Sequence, residues 1–381
     1  MAAKCKIFNV VGARPNFMKI APILREMLNS SFIEPILVHT GQHYDPELSK
    51  NFFSDLSIPE PDYHLEVGSA SHAAQTARVM LCFEKTMLKE KPDAVLVVGD
   101  VNSTLACSLV AAKEGVPVIH VEAGLRSFDW TMPEEINRVL TDQLSDILFT
   151  TSEEAEGHLK KEGVRGKIFY CGNVMIDTLL YNLPFCEKYE EKYPFLKERS
   201  YAVLTLHRPA NVDNKETFLE LLDFLVEECK KHPIIFPIHP RTLKKVKEFQ
   251  LLSHFNIVKQ LTSEPEQGCI YCLPALAYKE MLYLTSKALC IYTDSGGVQE
   301  EATVLRVPCL TLRENTERPI TLSSGSNVLG GTKKDSLQKA RTRLYAMFNS
   351  IDSLKIPPLW DGCAAKRIVA ELENLIQKNE L

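Results

Sequence analysis

No stretch of this sequence approaches the ~20 consecutive apolar residues that crossing a bilayer requires. Neither sign of charge dominates. Lys+Arg 44 against Asp+Glu 49 leaves a formal net charge of −5, which excludes a strongly basic nucleic-acid binder but leaves room for a local anion pocket. Glycine (17) and proline (21) are too few for a collagenous or low-complexity chain. Met1-Ala-Ala-Lys-Cys-Lys runs into a short apolar segment with neither a long h-region nor a small-residue cleavage site. A cytoplasmic location is therefore expected, without membrane or nucleic-acid partners. The 11 cysteines, scattered from Cys5 to Cys363, are expected to be reduced and packed as small hydrophobes. Cys269 and Cys272 form the one close pair. With no second ligand pair nearby they read as incidental thiols in a loop, and no metal is expected.

What is present is 45% hydrophobic and 24% charged residues, the balance of an ordinary globular protein. At about 150 residues per domain, the 381 residues suit two domains with cores of their own. Short β-branched runs alternate with helical stretches throughout. Cys5–Val11, 35–39, 94–99, 116–121 and 147–151 read as strands, and as nearly continuous hydrophobic runs they fit strands buried on both faces. Between them, 73–89 repeats Ala77, Met80, Leu81, Met87 and Leu88 at helical spacing before the stop at Pro92. After a charged, aromatic stretch at 187–200 the pattern restarts, with strands at 201–207, 234–239, 289–293 and 308–312. The expected fold is α/β: two Rossmann-like, doubly wound domains facing a ligand cleft at the carboxyl ends of their strands. A last helix at 364–375, with Ala365, Ile368, Val369, Leu372 and Leu375 on one face, is expected to return to the first domain. This gives domains at 1–172, completed by 363–381, and at 173–362, with 173–183 as the hinge.

Polar residues gather where the strands end. Gly12-Ala-Arg14 follows the first, and Lys19 lies in the next helix. Arg14 offers a fork for phosphate or carboxylate, although both cations could equally be solvated in a surface loop. Asp100 follows another strand, as an acid/base group or as the N-cap of the next helix. Glu122 ends an apolar run, where burial favours acid/base chemistry; the structural alternative is an ion pair with Arg126. Glu134 and Glu135 open a helix behind Pro133, a position that capping alone would explain. In the second half, His207 and Arg208 end a strand, and His239 and Arg241 repeat the arrangement. Thr293-Asp-Ser295-Gly296-Gly couples a buried strand to a helix start, presenting N–H groups and a positive dipole end to an anion. Glu301 follows where ribose hydroxyls could be accepted, and the run 312–319 adds Arg318 to the same edge. A helix start with cations across a cleft suggests a diphosphate.

Together VVGARPNFMKIAPI, VHTGQHYD, VGDVNSTLA, HVEAGLRSFDWTMPEEINR, LHRPAN and TDSGGVQEE…RENTERP, in this order, resemble the non-hydrolysing UDP-N-acetylglucosamine 2-epimerases. The resemblance implies the glycosyltransferase-B architecture and inversion at C2 of a UDP-linked N-acetylhexosamine. It implies no nicotinamide or other cofactor, a UDP-sugar as the partner, and a homodimer. Carried over by motif, Asp100, Glu122 and Glu134 would surround the sugar, with His207 at the glycosidic oxygen. Arg14 and Lys19 would serve the phosphate and sugar side. Ser295 and Gly296 would hold the diphosphate, Glu301 the ribose, and Arg318 the nucleotide end. Many bacterial members have Arg-Glu-Asn or similar where this chain has Arg208-Pro-Ala-Asn. Activation by a second UDP-sugar is not expected, because Gln42-His43 is followed by Tyr-Asp-Pro and Gly68-Ser-Ala-Ser-His72 replaces a basic stretch. Related acetamido sugars, a hydrolysing epimerase and a glycosyltransferase of the same fold remain as alternatives.

Overall fold

The uninterrupted apolar runs become central strands of parallel sheets, where helices cover both faces and leave no side for polar residues. The computed structural model describes residues 4–42, 56, 58–323 and 325–381, with only the backbone of Arg14. It divides into two compact units, Met1–Leu180 with Pro358–Leu381, and Tyr181–Pro357.

The first unit holds a seven-stranded sheet in the order β3-β2-β1-β4-β5-β6-β7. Its strands are β1 (Cys5–Val11), β2 (Ile33–His39), β3 (Tyr63–His64), β4 (Ala94–Val98), β5 (Val118–Ala123), β6 (Ile147–Thr150) and β7 (Lys167–Tyr170), all parallel. Strand order reverses direction between β1 and β4, where Val10 pairs with Val97. In open α/β sheets such a switch point is where ligands bind, outside the carboxyl ends. The helix His72–Glu90 buries Gln75, Val79, Phe83 and Met87. Of the stripe expected from its sequence, Met87 is buried and Met80 packs against the core, whereas Leu81 and Leu88 do not. Both stripes are apolar enough for either to pack, but Phe83 meets Phe8 edge-on from the sheet, which leaves Leu81 and Leu88 exposed.

The second unit repeats the design in the order β10-β11-β9-β8-β12-β13-β14. These strands are β8 (Ala202–Thr205), β9 (Ile234–Pro237), β10 (Asn256–Ile257), β11 (Ile270–Leu273), β12 (Cys290–Thr293), β13 (Cys309–Thr311) and β14 (Asn327–Leu329), with the switch point between β8 and β12. Its core gathers Phe218, Phe236 and Tyr292. Cys272 corrects the sequence expectation of a loop: it sits buried in β11, paired with Phe236 of β9. The run Ile-Tyr-Cys-Leu was short enough to be overlooked beside Gly268.

The terminal helix Ala364–Gln377 buries Ala364, Ala365, Ile368, Val369, Leu372 and Leu375 within the first unit. Its own N-cap residue, Cys363, makes no side-chain cap bond. Asp177, distant in sequence, accepts from the N–H groups of Ala364 (3.1 Å) and Ala365 (2.7 Å) instead. Residues 173–180 and 358–362 also lie in this unit: Thr178 Oγ1 donates to the Met18 carbonyl (2.6 Å) and Tyr170 Oη to that of Pro358 (2.7 Å). Among the described residues, no helix is long and apolar enough to cross a membrane.

Candidate active site

In the first unit the polar residues meet at the β1/β4 switch point. Asn16 ties the two strand ends together. Its Oδ1 accepts from the N–H groups of Gly12 (3.1 Å) and Ala13 (3.0 Å), while its Nδ2 donates to the Val98 carbonyl (2.9 Å). Lys19, further along the same helix (Arg14–Leu28), reaches Glu122 and pairs with it through Nζ and Oε2. Both side chains are buried, 7% and 2% exposed, and their opposite charges offset part of the cost of leaving water. The pair with Arg126, the structural alternative for Glu122, does not form. Arg126 turns instead to Asp142 (2.7 Å) and Glu162 (2.5 Å).

Glu122 sits at an irregularity of β5, where pairing with β6 shifts register between Val121 and Ala123. Its φ is +71°, a left-handed conformation that a non-glycine residue keeps only when its surroundings impose it. Gly99 explains the close approach. At φ +66° it carries no side chain where a Cβ would stand 2.6 Å from Lys19 Nζ and 3.3 Å from Glu122 Oε2. The Lys19–Glu122 pair therefore lies directly against the residue preceding Asp100.

Asp100 is not the helix cap that its sequence position allowed. The N-cap of Asn102–Lys113 is Val101, and the Asp100 carboxylate instead accepts from Arg138 Nη2 (2.5 Å). Asn137 Nδ2 donates to the Asp100 carbonyl (2.9 Å). Arg138 also binds Glu135 (2.7 Å), a buried carboxylate filled by the Ser127 and Phe128 N–H groups and the Ser127 hydroxyl. Of the two acidic residues opening the helix Pro133–Leu144, Glu135 is thus structural, and Glu134 is exposed in the first turn. Asp100 and Glu122 stand at neighbouring strand ends, each with its own cation. The side chain of Arg14 and residue His43 lie outside the described residues. Gln42 is engaged internally, its Oε1 accepting from the N–H (2.9 Å) and hydroxyl (2.7 Å) of Ser103.

In the second unit the β8/β12 switch point is organised by Asp294. This fully buried carboxylate accepts from the N–H groups of His207 (3.0 Å) and Arg208 (2.8 Å) and from Asn211 Nδ2 (3.2 Å). It also stands 3.1 Å from His207 Nδ1. Burial pushes its pKa up, but the His207 imidazole and these N–H donors outweigh it and hold the carboxyl below its ordinary value. An ionised acceptor at Nδ1 keeps a proton there, and the His207 ring, 41% exposed, presents Nε2 outward. The helix Gly296–Leu305 then begins. Ser295 is its N-cap without a side-chain cap bond. A Cβ on Gly296 would lie 2.9 Å from Arg318 Nη1, so glycine lets a guanidinium approach the helix start. Arg318 is fixed by Glu300 (2.9 Å) and Glu317 (3.5 Å), and Glu317 also receives Arg313 (2.8 Å) and Arg208 (3.4 Å). Burial opposes the charge on Glu317, but the surrounding arginines hold its carboxyl far below the usual range. Glu301 is buried and accepts from Tyr278 Oη (3.0 Å).

A family model described as UDP-N-acetylglucosamine 2-epimerase matches residues 25–373. A Methanocaldococcus jannaschii UDP-N-acetylglucosamine 2-epimerase is 44% identical over 371 residues, covering 96% of this chain and 98% of that protein. The chain belongs to the UDP-N-acetylglucosamine 2-epimerase family. Its members are isomerases. A Pseudomonas aeruginosa UDP-2,3-diacetamido-2,3-dideoxy-D-glucuronate 2-epimerase is 38% identical over 344 residues, covering 89% of this chain and 92% of the relative. The crystal structure of the Methanocaldococcus jannaschii UDP-GlcNAc 2-epimerase in complex with UDP-GlcNAc and UDP superposes with a TM-score of 0.86 at 43% identity, covering 97% of this chain and 99% of that one. The paired Rossmann-like sheets are the glycosyltransferase-B type of fold expected from the resemblance.

In this epimerase-family chain, sequence reasoning passed over Arg138, Asp294 and Glu317 as organisers of the strand ends. Asp294 was within reach of that reasoning, because a carboxylate at the end of a fully buried strand needs several donors. Arg138 follows Glu134 by one helical turn, but only the packing of its helix shows that it meets Asp100. His239 caps its own helix by accepting from the Arg241 N–H (3.1 Å), and Arg241 pairs with Asp213 (2.5 Å). Among the described residues no group of three or more His, Cys, Asp or Glu is placed to hold a metal ion.

Proposed function

We propose that the protein inverts C2 of the sugar in a UDP-linked N-acetylhexosamine, interconverting UDP-N-acetylglucosamine and UDP-N-acetylmannosamine without net hydrolysis. No carbonyl adjoins C2 to stabilise a carbanion, so simple removal and return of the proton is too costly. Elimination avoids this. A carboxylate takes the C2 proton, the C1–O bond breaks with its electron pair leaving on UDP, and a 2-acetamidoglucal remains. A UDP oxygen then re-adds at C1 while a proton reaches the opposite face of C2. Asp100, Glu122 and Glu134 are the proposed acid/base groups, and His207 serves the glycosidic oxygen. Ser295, Gly296 and Arg318 receive the diphosphate and nucleotide end, Glu301 the ribose, and Arg14 and Lys19 the phosphate and sugar side. The supporting observation is the Lys19–Glu122 pair against Gly99, beside Asp100 with its own Arg138. Two carboxylates with separate partners at adjacent strand ends suit a reaction that removes a proton at one face and returns one at the other.

Incubation with UDP-N-acetylglucosamine in deuterated water tests this. The expected outcome is an equilibrium mixture of both epimers, deuterated at C2 and still UDP-linked. Stoichiometric free UDP and sugar would overturn the non-hydrolysing route. The Pseudomonas aeruginosa relative supports a second reading, in which the physiological substrate is a UDP-linked diacetamido uronic acid. A faster turnover of that sugar in the same assay would favour it. A cytoplasmic homodimer completes the proposal, and sedimentation and cell fractionation test it.

A further inference from the structure

Behind the proposed acid/base groups lies a buried polar cluster that none of the steps above uses. His120, within β5 and fully buried, faces an acceptor at each ring nitrogen: Nδ1 lies 2.7 Å from Asp142 Oδ1, and Nε2 lies 2.9 Å from the Gly99 carbonyl. The ring thus bridges the Asp142 carboxyl group and the Gly99 carbonyl. The other Asp142 oxygen, Oδ2, takes Arg126 Nη2 (2.7 Å) and the Gly124 N–H (3.1 Å). His120, Arg126 and Asp142 form a buried cluster, with the exposed Glu162 as the second partner of Arg126.

The placement of these bonds carries the inference. Through His120 the Asp142 carboxylate fixes the carbonyl of Gly99, the residue before Asp100. Directly, it fixes the N–H of Gly124, two residues beyond Glu122. We propose that Asp142 and His120 are positioning residues that hold the two acid/base strand ends in one relative geometry. The proposal rests on reading Asp100 and Glu122 as the acid/base groups. It accounts for the strained φ of +71° at Glu122: with the backbone pinned two residues later and its own side chain drawn to Lys19, Glu122 itself must take up the turn. The same helix supplies Arg138, one turn earlier, to the Asp100 carboxylate. A single rigid element therefore references both groups, and a shift of about 1 Å in such a constellation costs on the order of 100-fold in rate.

His120→Asn and His120→Gln separate this role from mere packing. The Asn amide reaches toward Asp142 but not Gly99, whereas the Gln amide reaches toward Gly99 but not Asp142. Each variant loses one bond, so similar melting temperatures are expected. The kcat of His120→Asn should fall 10- to 100-fold, with the KM for UDP-N-acetylglucosamine and the UDP binding stoichiometry unchanged. His120→Gln breaks the same relay at Asp142 and should fall comparably. A wild-type kcat in either variant would overturn the proposal. If neither folds, Asp142→Asn replaces them, with a 10-fold or greater fall in kcat expected and a wild-type kcat overturning the proposal. Asp100→Asn is assayed alongside. Wild-type turnover in that variant would sink the acid/base reading itself, whereas its inactivity together with a wild-type kcat in a His120 variant would sink only the positioning role.

Discussion

Replacing Lys19 with methionine keeps the length of the side chain and removes the ammonium that touches Glu122. The two side chains are 7% and 2% exposed, so water cannot take the ammonium's place. Breaking a buried pair from one side costs about 3–5 kcal/mol. For a unit of this size each kcal/mol shifts the melting temperature by roughly 2–4 °C, so Lys19→Met should melt about 6–20 °C lower. Removing the second charge reverses the logic. Lys19→Met/Glu122→Gln has no buried ion to stabilise and should return to within ~1–2 kcal/mol of the wild type, while remaining inactive. Tryptophan fluorescence, excited selectively, reads the first unit alone in a denaturant titration. The chain has 2 tryptophans, Trp130 and Trp360, and both belong to that unit. Trp360 is the informative one, buried with its indole N–H on the Thr151 carbonyl (2.9 Å). A double variant as unstable as the single one would refute the electrostatic account and assign the loss to the packing of the lysine stem.

Gly99→Ala should destabilise the first unit and be severe for turnover. Its left-handed φ of +66° costs an alanine about 1–2 kcal/mol, and the added Cβ would lie 2.6 Å from the buried Lys19 Nζ, straining its pair with Glu122. A fall in kcat of at least 100-fold is expected, and a wild-type kcat would refute the close packing. His39 supplies a pH dependence: burial, then the neighbouring His64, lowers its pKa to about 4. The unfolded chain takes up this proton near pH 6.5 and the folded one only near 4, so the contribution is complete above 6.5 and lost as pH falls. Between pH 7 and 5 the first unit should lose about 2 kcal/mol from this group. His39→Gln should flatten that slope, and an unchanged slope would refute the assignment.

Much of this was legible because the central strands are buried on both faces, which writes them as unbroken apolar runs. β4 and β12 appear within a residue of where their sequences place them. The terminal helix was legible for a related reason, since its buried stripe recurs at helical spacing. Edge strands such as β3, β10 and β14 are two or three residues long, too short to show any period. The partners at the site were the least legible. Arg126 lies nearer Glu122 in sequence, yet Lys19 wins because β1, β4 and β5 are neighbours in the sheet. That adjacency brings the helix after β1 over the end of β5, and no local rule encodes it. The positive φ of Glu122 was invisible for the same reason: it is imposed by contacts with residues remote in the chain.

The two units treat charge differently, and the difference bears on what each can receive. In the first, Arg138 holds both Asp100 and Glu135, and Lys19 holds Glu122, so each carboxylate near the strand ends is fixed by a cation. In the second, Arg208, Arg313 and Arg318 surround Glu317, and Asp294, Glu300 and Glu301 are buried at the same strand ends. These acids fix the direction of the guanidiniums beside a helix start that itself favours anions, as preorganised stabilisation of a leaving diphosphate requires. The chain's net charge of −5 hides this arrangement, because binding responds to the local field and not to the total.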